Sequence, residues 1–117
     1  MSHRDARPVW GEIDLAAITH NVGLLRERAG RPVSILAPVK ANAYGHGMAA
    51  VSLHLQKLGV EGLATANFDD AVAARRAGVT IPILLYGAQL PSGHVDVLDQ
   101  GLTPSVYDRE SLQVLAQ

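Results

Sequence analysis

The sequence predicts an α/β fold in which helices cover a parallel sheet, and three observations support this prediction. Short apolar segments alternate with helical patterns four times, beginning roughly 20 to 30 residues apart, as strand–helix units do. The apolar run at residues 34–39 lacks alternation, as in a strand buried on both faces. At 117 residues, without linkers or low-complexity segments, the chain holds one domain at most. Four such units can form a small doubly wound sheet or half of an eight-stranded barrel.

The first predicted elements are a strand, a helix and a second strand. Residues 9–14 alternate loosely between apolar and polar positions, which predicts a short strand. Asp14 can then cap a helix that Gly30 and Pro32 end. The apolar positions of this helix recur at intervals of three and four, at Leu15, Ile18, Val22, Leu25 and Ala29. The apolar run at 34–39 is the first predicted strand of the parallel sheet.

The rest of the chain repeats the strand–helix unit. A helical stripe begins at Met48, and Gly59 stops it. Another helix begins near Asn67, with two aspartates in the first turn, where the helix dipole favours them. A weaker helix covers residues 92–100, and Asp108 caps the last one. The remaining strands are predicted at residues 62–66, 81–86 and 102–107.

The composition is that of an ordinary soluble globular chain with a net charge of −1. Because there is no basic stripe and aromatic residues make up only 4%, we expect no nucleic-acid partner. No apolar run is long enough to span a membrane, and the polar N-terminus lacks a signal-peptide core, so we expect a cytoplasmic location. The chain has no cysteine, and we assign no metal. The four histidines without partners at ligand spacing are expected to be solvated or partly packed: His3, His20, His54 and His94.

Lys40 is the most informative residue, because it ends the apolar run at 34–39 and a glycine-punctuated turn follows it. It is one of only two lysines, the other being Lys57. At the end of an apolar strand the ammonium form of an amine is poorly solvated, which favours the neutral amine. A neutral amine can form a Schiff base with pyridoxal phosphate, and the helix start after the turn can receive a phosphate. The simpler alternative is a lysine that extends into water.

Residues 39–47 read Val-Lys-Ala-Asn-Ala-Tyr-Gly-His-Gly and resemble, over their whole length, the pyridoxal-phosphate attachment motif of the alanine racemases. The resemblance covers essentially the whole chain, since it continues at residues 10–26, 62–66, 69–78 and 82–87. It implies the N-terminal part, about half, of a (β/α)8 TIM-type barrel rather than a doubly wound sheet. It also implies a division into residues 15–117, the first four β/α units, and residues 1–14, a strand belonging to a C-terminal β-domain that this chain lacks.

The resemblance further implies roles for three side chains. Lys40 would form the Schiff base with the cofactor and act as the base on one face of the substrate Cα. Tyr44 would donate a hydrogen bond to the cofactor phosphate. Tyr86 stands where the family usually has an aliphatic residue lying against the cofactor ring, so it either packs on that ring or turns away from it.

Three neighbours of Lys40 receive structural interpretations. Pro38 replaces the aliphatic residue that family members normally carry two positions before the lysine. Because proline removes one ladder donor, it puts the local strand pairing in doubt. Asn42 and His46 are interpreted as residues that position the loop and not as groups that react.

The activity that the resemblance implies is the interconversion of L-alanine and D-alanine with pyridoxal 5'-phosphate, which supplies D-alanine for cell-wall peptidoglycan. Family members are homodimers, and a tyrosine of the partner subunit works on the opposite face of the substrate. No residue of this chain matches that tyrosine, so we expect a fragment that is inactive alone. Two alternatives stay open: a non-catalytic half-barrel module that assembles with a missing partner, and a serine or broad-specificity amino-acid racemase of the same fold.

Overall fold

The computed structural model describes residues 9–117 as parallel strands that alternate with helices. The strands are β1 (Leu36–Pro38), β2 (Gly62–Thr65), β3 (Ile83–Leu85) and β4 (Thr103–Pro104). The helices are α1 (Leu15–Ala29), α2 (Lys40–Tyr44), α3 (Met48–Lys57), α4 (Phe68–Arg76), α5 (His94–Asp99) and α6 (Arg109–Leu115). A 3-10 turn, Pro91–Gly93, precedes α5. Among the helices of residues 9–117, none has the length and apolar character needed to cross a bilayer.

The four strands lie side by side in chain order, β1-β2-β3-β4, and every neighbouring pair is parallel. In the register of the sheet, Pro38 is paired with Ala64, Ala64 with Leu84, and Leu84 with Thr103. A doubly wound sheet reverses its strand order at a switch point, whereas a barrel adds each strand on the same side. The observed order therefore follows the winding of a barrel.

The core lies between the sheet and the helices. All four residues of β2 are buried, and Leu63 in this strand lies beside Ile83 of β3. The helices contribute small and medium apolar side chains to the same cluster, among them Val51, Leu55, Ala71, Ala74 and Val97. The opposite face of the sheet is less covered by residues 9–117, and Leu36 is 48% exposed there.

Pro38 leaves the pairing of β1 with β2 intact. The N–H of Val39 donates to the carbonyl of Ala64 at 2.9 Å, and the N–H of Gly62 donates to the carbonyl of Ile35 at 3.3 Å. Because successive N–H groups point to opposite sides of a strand, the nitrogen of Pro38 faces away from β2. The sequence-based doubt about local pairing is thereby removed, since the missing donor lies on the outer edge.

Side-chain caps confirm three of the predicted helix starts. Oδ1 of Asp14 accepts a first-turn N–H of α1 at 2.8 Å. Oδ1 of Asn67 accepts the N–H of Asp69 at 2.7 Å, and Oδ1 of Asp108 accepts the N–H of Ser111 at 2.7 Å. In each case a backbone donor without a helical partner finds a side-chain acceptor, which fixes where the helix begins.

The strand predicted at residues 9–14 has no partner strand within residues 9–117. These residues have no ladder pairing, and Val9 is 79% exposed. A strand needs a partner for its backbone groups, and the sheet of residues 9–117 offers none beside this segment. The partner that the resemblance implies belongs to a β-domain outside these residues, so the strand stays a prediction. Residues 1–8 of the predicted N-terminal segment lie outside the described residues, while its predicted end at 14 coincides with the cap of α1.

His94 also departs from the sequence-based expectation of a solvated or partly packed histidine. It begins α5, and only 1% of its surface is exposed. Within residues 9–117, neither Nδ1 nor Nε2 of His94 has a hydrogen-bond partner. A buried imidazole without a partner is a local cost to stability.

An ion pair between Arg26 and Glu61 closes the end of the sheet where β1 and β2 begin. Nη1 of Arg26 donates to Oε1 of Glu61 at 2.7 Å, and Nη2 donates to the carbonyl of Gly59 at 3.0 Å. Oε2 of Glu61 accepts the N–H of Ile35 at 2.7 Å. The guanidinium of Arg26 and the N–H of Ile35 lower the pKa of Glu61 from 4.5 to about 2, because both favour the carboxylate form.

Candidate active site

The carboxyl ends of the strands bring two predicted site residues to one end of the sheet. Lys40 follows β1 after Val39, and Tyr86 follows β3 directly. The N–H of Tyr86 still donates to the carbonyl of Thr65 at 3.0 Å, so the backbone at this position continues the ladder. In barrel enzymes this end of the strands carries the catalytic groups.

Lys40 presents an amine without an acidic partner. Its side chain is exposed, and within residues 9–117 no carboxylate pairs with its Nζ atom. The nearest polarisable group is the Tyr44 ring, whose centroid lies 5.9 Å from Nζ. The sequence predicts that the apolar strand end desolvates this amine, but the described residues leave it open to solvent.

The turn after β1 is left-handed, which the sequence analysis does not predict. Four consecutive residues have positive φ angles: Ala41 at 51°, Asn42 at 57°, Ala43 at 54° and Tyr44 at 55°. The left-handed conformation costs residues other than glycine roughly 1–2 kcal/mol each. Strain of this kind persists only where surrounding contacts enforce it, and it concentrates at functional sites.

The backbone of the turn satisfies its own hydrogen bonds. The N–H of Gly45 donates to Ala41 at 3.0 Å, and the N–H of Gly47 donates to Asn42 at 3.0 Å. Oδ1 of Asn42 accepts the N–H of Met48 at 2.8 Å, so Asn42 does tie down the loop. These donors are used inside the turn, and a phosphate at the start of α3 stays a prediction.

The hydroxyl of Tyr44 remains available. The Tyr44 side chain is 56% exposed, and within the described residues its phenol oxygen has no hydrogen-bond partner. This hydroxyl is therefore able to donate to an anionic ligand.

Tyr86 is part of a tight corner. A Cβ atom on the next residue, Gly87, would lie 1.9 Å from the carbonyl oxygen of Ala66, so only glycine fits there. The hydroxyl of Tyr107 donates a short hydrogen bond to the carbonyl of Tyr86. Sequence analysis does not single out Tyr107, although its position at the end of the predicted strand 102–107 places it at the same edge as Lys40.

The sequence of this chain is similar to those of known proteins. Residues 13–117 match the model of the family described as alanine racemase, N-terminal domain. The alanine racemase of Geobacter sp. (strain M21) is 38% identical over 113 residues, which are 97% of this chain and 30% of that protein. Alanine racemase 1 of Bacillus subtilis (strain 168) is 39% identical over 111 residues, covering 95% and 28% of the two chains.

Solved structures agree in fold. The alanine racemase of Clostridium difficile 630 superposes with a TM-score of 0.88 at 31% identity, covering 93% of this chain and 30% of that one. The Bacillus anthracis alanine racemase with bound L-Ala-P gives a TM-score of 0.81 at 36% identity, covering 86% of this chain and 26% of that one.

The chain thus spans about 30% of the length of the relatives it matches. Its four units form the N-terminal part of a (β/α)8 barrel. The chain belongs to the alanine racemase family, within its N-terminal domain.

Proposed function

We propose that this segment forms the pyridoxal-phosphate end of an alanine racemase, with Lys40 bound covalently to the cofactor. The observation that carries the proposal is the free amine of Lys40 at the end of β1, 5.9 Å from the Tyr44 ring. Relatives that share 38–39% of their aligned residues with this chain are named alanine racemases, which favours alanine over serine as the substrate. The product D-alanine would supply cell-wall peptidoglycan, and the proposed location is the cytoplasm.

The side chains at this end of the sheet fit pyridoxal phosphate. The cofactor needs an amine for its aldehyde carbon and donors for its phosphate. Lys40 and Tyr44 supply an amine and a phenol hydroxyl, and neither has a hydrogen-bonding or ionic partner within residues 9–117. Their availability contrasts with the turn amides, whose hydrogen bonds are already made. We propose that Tyr86 lies against the cofactor ring from the end of β3.

The chemical work of this chain would be the movement of one proton. When bound, pyridoxal phosphate withdraws electrons from the alanine Cα and makes its proton removable by a modest base. Lys40 would accept that proton on Nζ at one face of the substrate and, in the reverse direction, donate a proton to Cα at the same face, while the opposite-face group handles the other face. Tyr44 would hold the phosphate while the proton moves. The group for the opposite face would come from the partner subunit of a homodimer, which completes the racemase.

A racemisation assay on the full-length protein containing this segment tests the proposal. Lys40→Ala is expected to abolish interconversion of the alanine enantiomers, because it removes both the cofactor attachment and one base. Lys57→Ala is the matched control, since it removes the other lysine of the segment from the end of α3, and it should keep activity. Full activity of Lys40→Ala would contradict the proposal, and a preference for serine would contradict the substrate.

A further inference from the structure

The side chain of His46 contacts two backbone carbonyls of the left-handed turn that precedes it. Its Nδ1 atom lies 2.8 Å from the carbonyl oxygen of Ala43 and 3.1 Å from that of Tyr44. Carbonyl oxygens only accept, so Nδ1 must carry the proton and donate to them. The backbone N–H of His46 donates to Ala43 as well, at 3.1 Å. His46 therefore supplies two donors to the end of the left-handed turn.

These contacts act where the turn needs support. The four left-handed residues Ala41–Tyr44 cost roughly 4–8 kcal/mol together, if the cost per residue is about 1–2 kcal/mol. The chain then leaves through Gly45 and Gly47, with φ of 83° and 92°, into the right-handed α3. Carbonyls at such a change of hand cannot continue a regular helical ladder, and a side-chain donor is one way to satisfy them. Asn42 supports the start of α3 through Met48, and His46 supports the end of the turn that carries Tyr44.

We propose that His46 is a positioning residue: its Nδ1 proton holds the left-handed turn so that the Tyr44 hydroxyl meets the cofactor phosphate beside Lys40. The proposal rests on the proposed function for its cofactor part, while its conformational part concerns this chain alone. The proposal gives His46 no part in the reaction, because its Nδ1 atom is engaged with two backbone carbonyls. Both the neutral Nδ1–H tautomer and the imidazolium form can make the contact.

Three substitutions separate this role from general packing. Asparagine carries an N–H donor on the atom that corresponds to Nδ1, whereas the glutamine donor corresponds to Nε2. His46→Asn should therefore keep the wild-type conformation of the turn, while His46→Gln and His46→Ala should loosen it. The protein to use is the full-length protein containing this segment, in the apo form for conformation and titrated with pyridoxal phosphate for binding.

The apo measurement is hydrogen exchange of the amides in residues 43–48, read by mass spectrometry. His46→Ala and His46→Gln should exchange these amides at least several-fold faster than the wild type, and His46→Asn should not. Protection in His46→Ala equal to the wild type would overturn the proposal. So would loss of protection in His46→Asn equal to that in His46→Ala.

The second measurement is a double-mutant cycle on cofactor affinity. His46→Ala should weaken pyridoxal-phosphate binding about tenfold when Tyr44 is present, and less than about twofold in a Tyr44→Phe background. Equal losses in both backgrounds would show that His46 does not act through Tyr44 and would overturn the proposal. If the wild type itself binds no cofactor on Lys40, the proposed function fails along with the cofactor role of His46, and the exchange measurement alone decides its conformational role.

Discussion

The Nζ atom of Lys40 and the ring of Tyr44 face each other at 5.9 Å, near the outer limit at which a cation is attracted to an aromatic face. The left-handed turn between them brings this about, and it leaves both the amine and the phenol open to solvent. The amine is the group that can bind an aldehyde covalently, and the hydroxyl can donate one hydrogen bond to a phosphate.

Tyr44→Phe should weaken cofactor retention more than it slows the reaction. The substitution removes one hydrogen bond to a charged phosphate, a loss on the order of 1.5–3 kcal/mol, or about tenfold or more in the dissociation constant. The measurement is a titration with pyridoxal phosphate, with Tyr86→Phe as the control, because that variant keeps the ring and loses only a hydroxyl. An unchanged affinity in Tyr44→Phe would instead favour a packing role for this tyrosine.

Three helix starts could be predicted from the sequence, because local capping chemistry determines them, whereas the barrel winding of the sheet is predicted only through the family resemblance. Asp14 and Asp108 are polar residues directly before apolar helical stripes, and both cap their helices. The left-handed turn could not be predicted, because each of its non-glycine residues prefers the right-handed region. Backbone hydrogen bonds of the folded turn, together with contacts from Asn42 and His46, oppose that preference. The strand at 9–14 stays a prediction, since its pairing depends on residues outside the described sheet.

Glu61 should make the stability of the segment sensitive to acid. Its folded-state pKa of about 2 lies below the ordinary 4.5, so its carboxylate stabilises the fold above pH 4.5. That contribution is lost as the pH falls from about 4.5 towards 2. Glu61→Gln should lower the melting temperature at neutral pH, and the difference from the wild type should shrink across this window.

The cause of that acid sensitivity can be checked with a second variant. Arg26 is the largest contributor to the lowered pKa of Glu61, so Arg26→Met should reduce the pH-dependent part of the Glu61→Gln effect. Melting curves of the single and double variants between pH 2 and 7 provide the data. A Glu61→Gln effect that is constant over this range would contradict the assignment.

Arg75 and Arg76 are adjacent at the end of α4, yet they should contribute differently to the free energy of unfolding. The guanidinium of Arg75 donates to the carbonyls of Val79 at 3.0 Å, Ile81 at 2.7 Å and Gly101 at 2.7 Å. Arg75→Ala should lower the free energy of unfolding by about 2–4 kcal/mol, because three carbonyls lose a charged donor. Arg76 is exposed and without such contacts in the described residues, so Arg76→Ala should cost less than about 0.5 kcal/mol. Equal losses in a denaturant titration would contradict this difference.

His94→Leu should stabilise the protein. Leucine has a similar volume and needs no hydrogen bonds, so the buried imidazole without partners is replaced at a gain of about 1–2 kcal/mol. His94→Gln, which keeps buried polar atoms, should bring no such gain. The measurement is the free energy of unfolding at pH 7. A loss of stability in His94→Leu would mean that the ring has a partner outside residues 9–117 or an ordered water.

The most direct test of the account is to map where pyridoxal phosphate binds. The full-length protein containing this segment is incubated with the cofactor, reduced with borohydride, digested and analysed by mass spectrometry. We predict a covalent adduct on Lys40 and none on Lys57, the other lysine of the segment. An adduct on Lys57, or a reduced protein in which Lys40 carries no cofactor, would contradict the central claim.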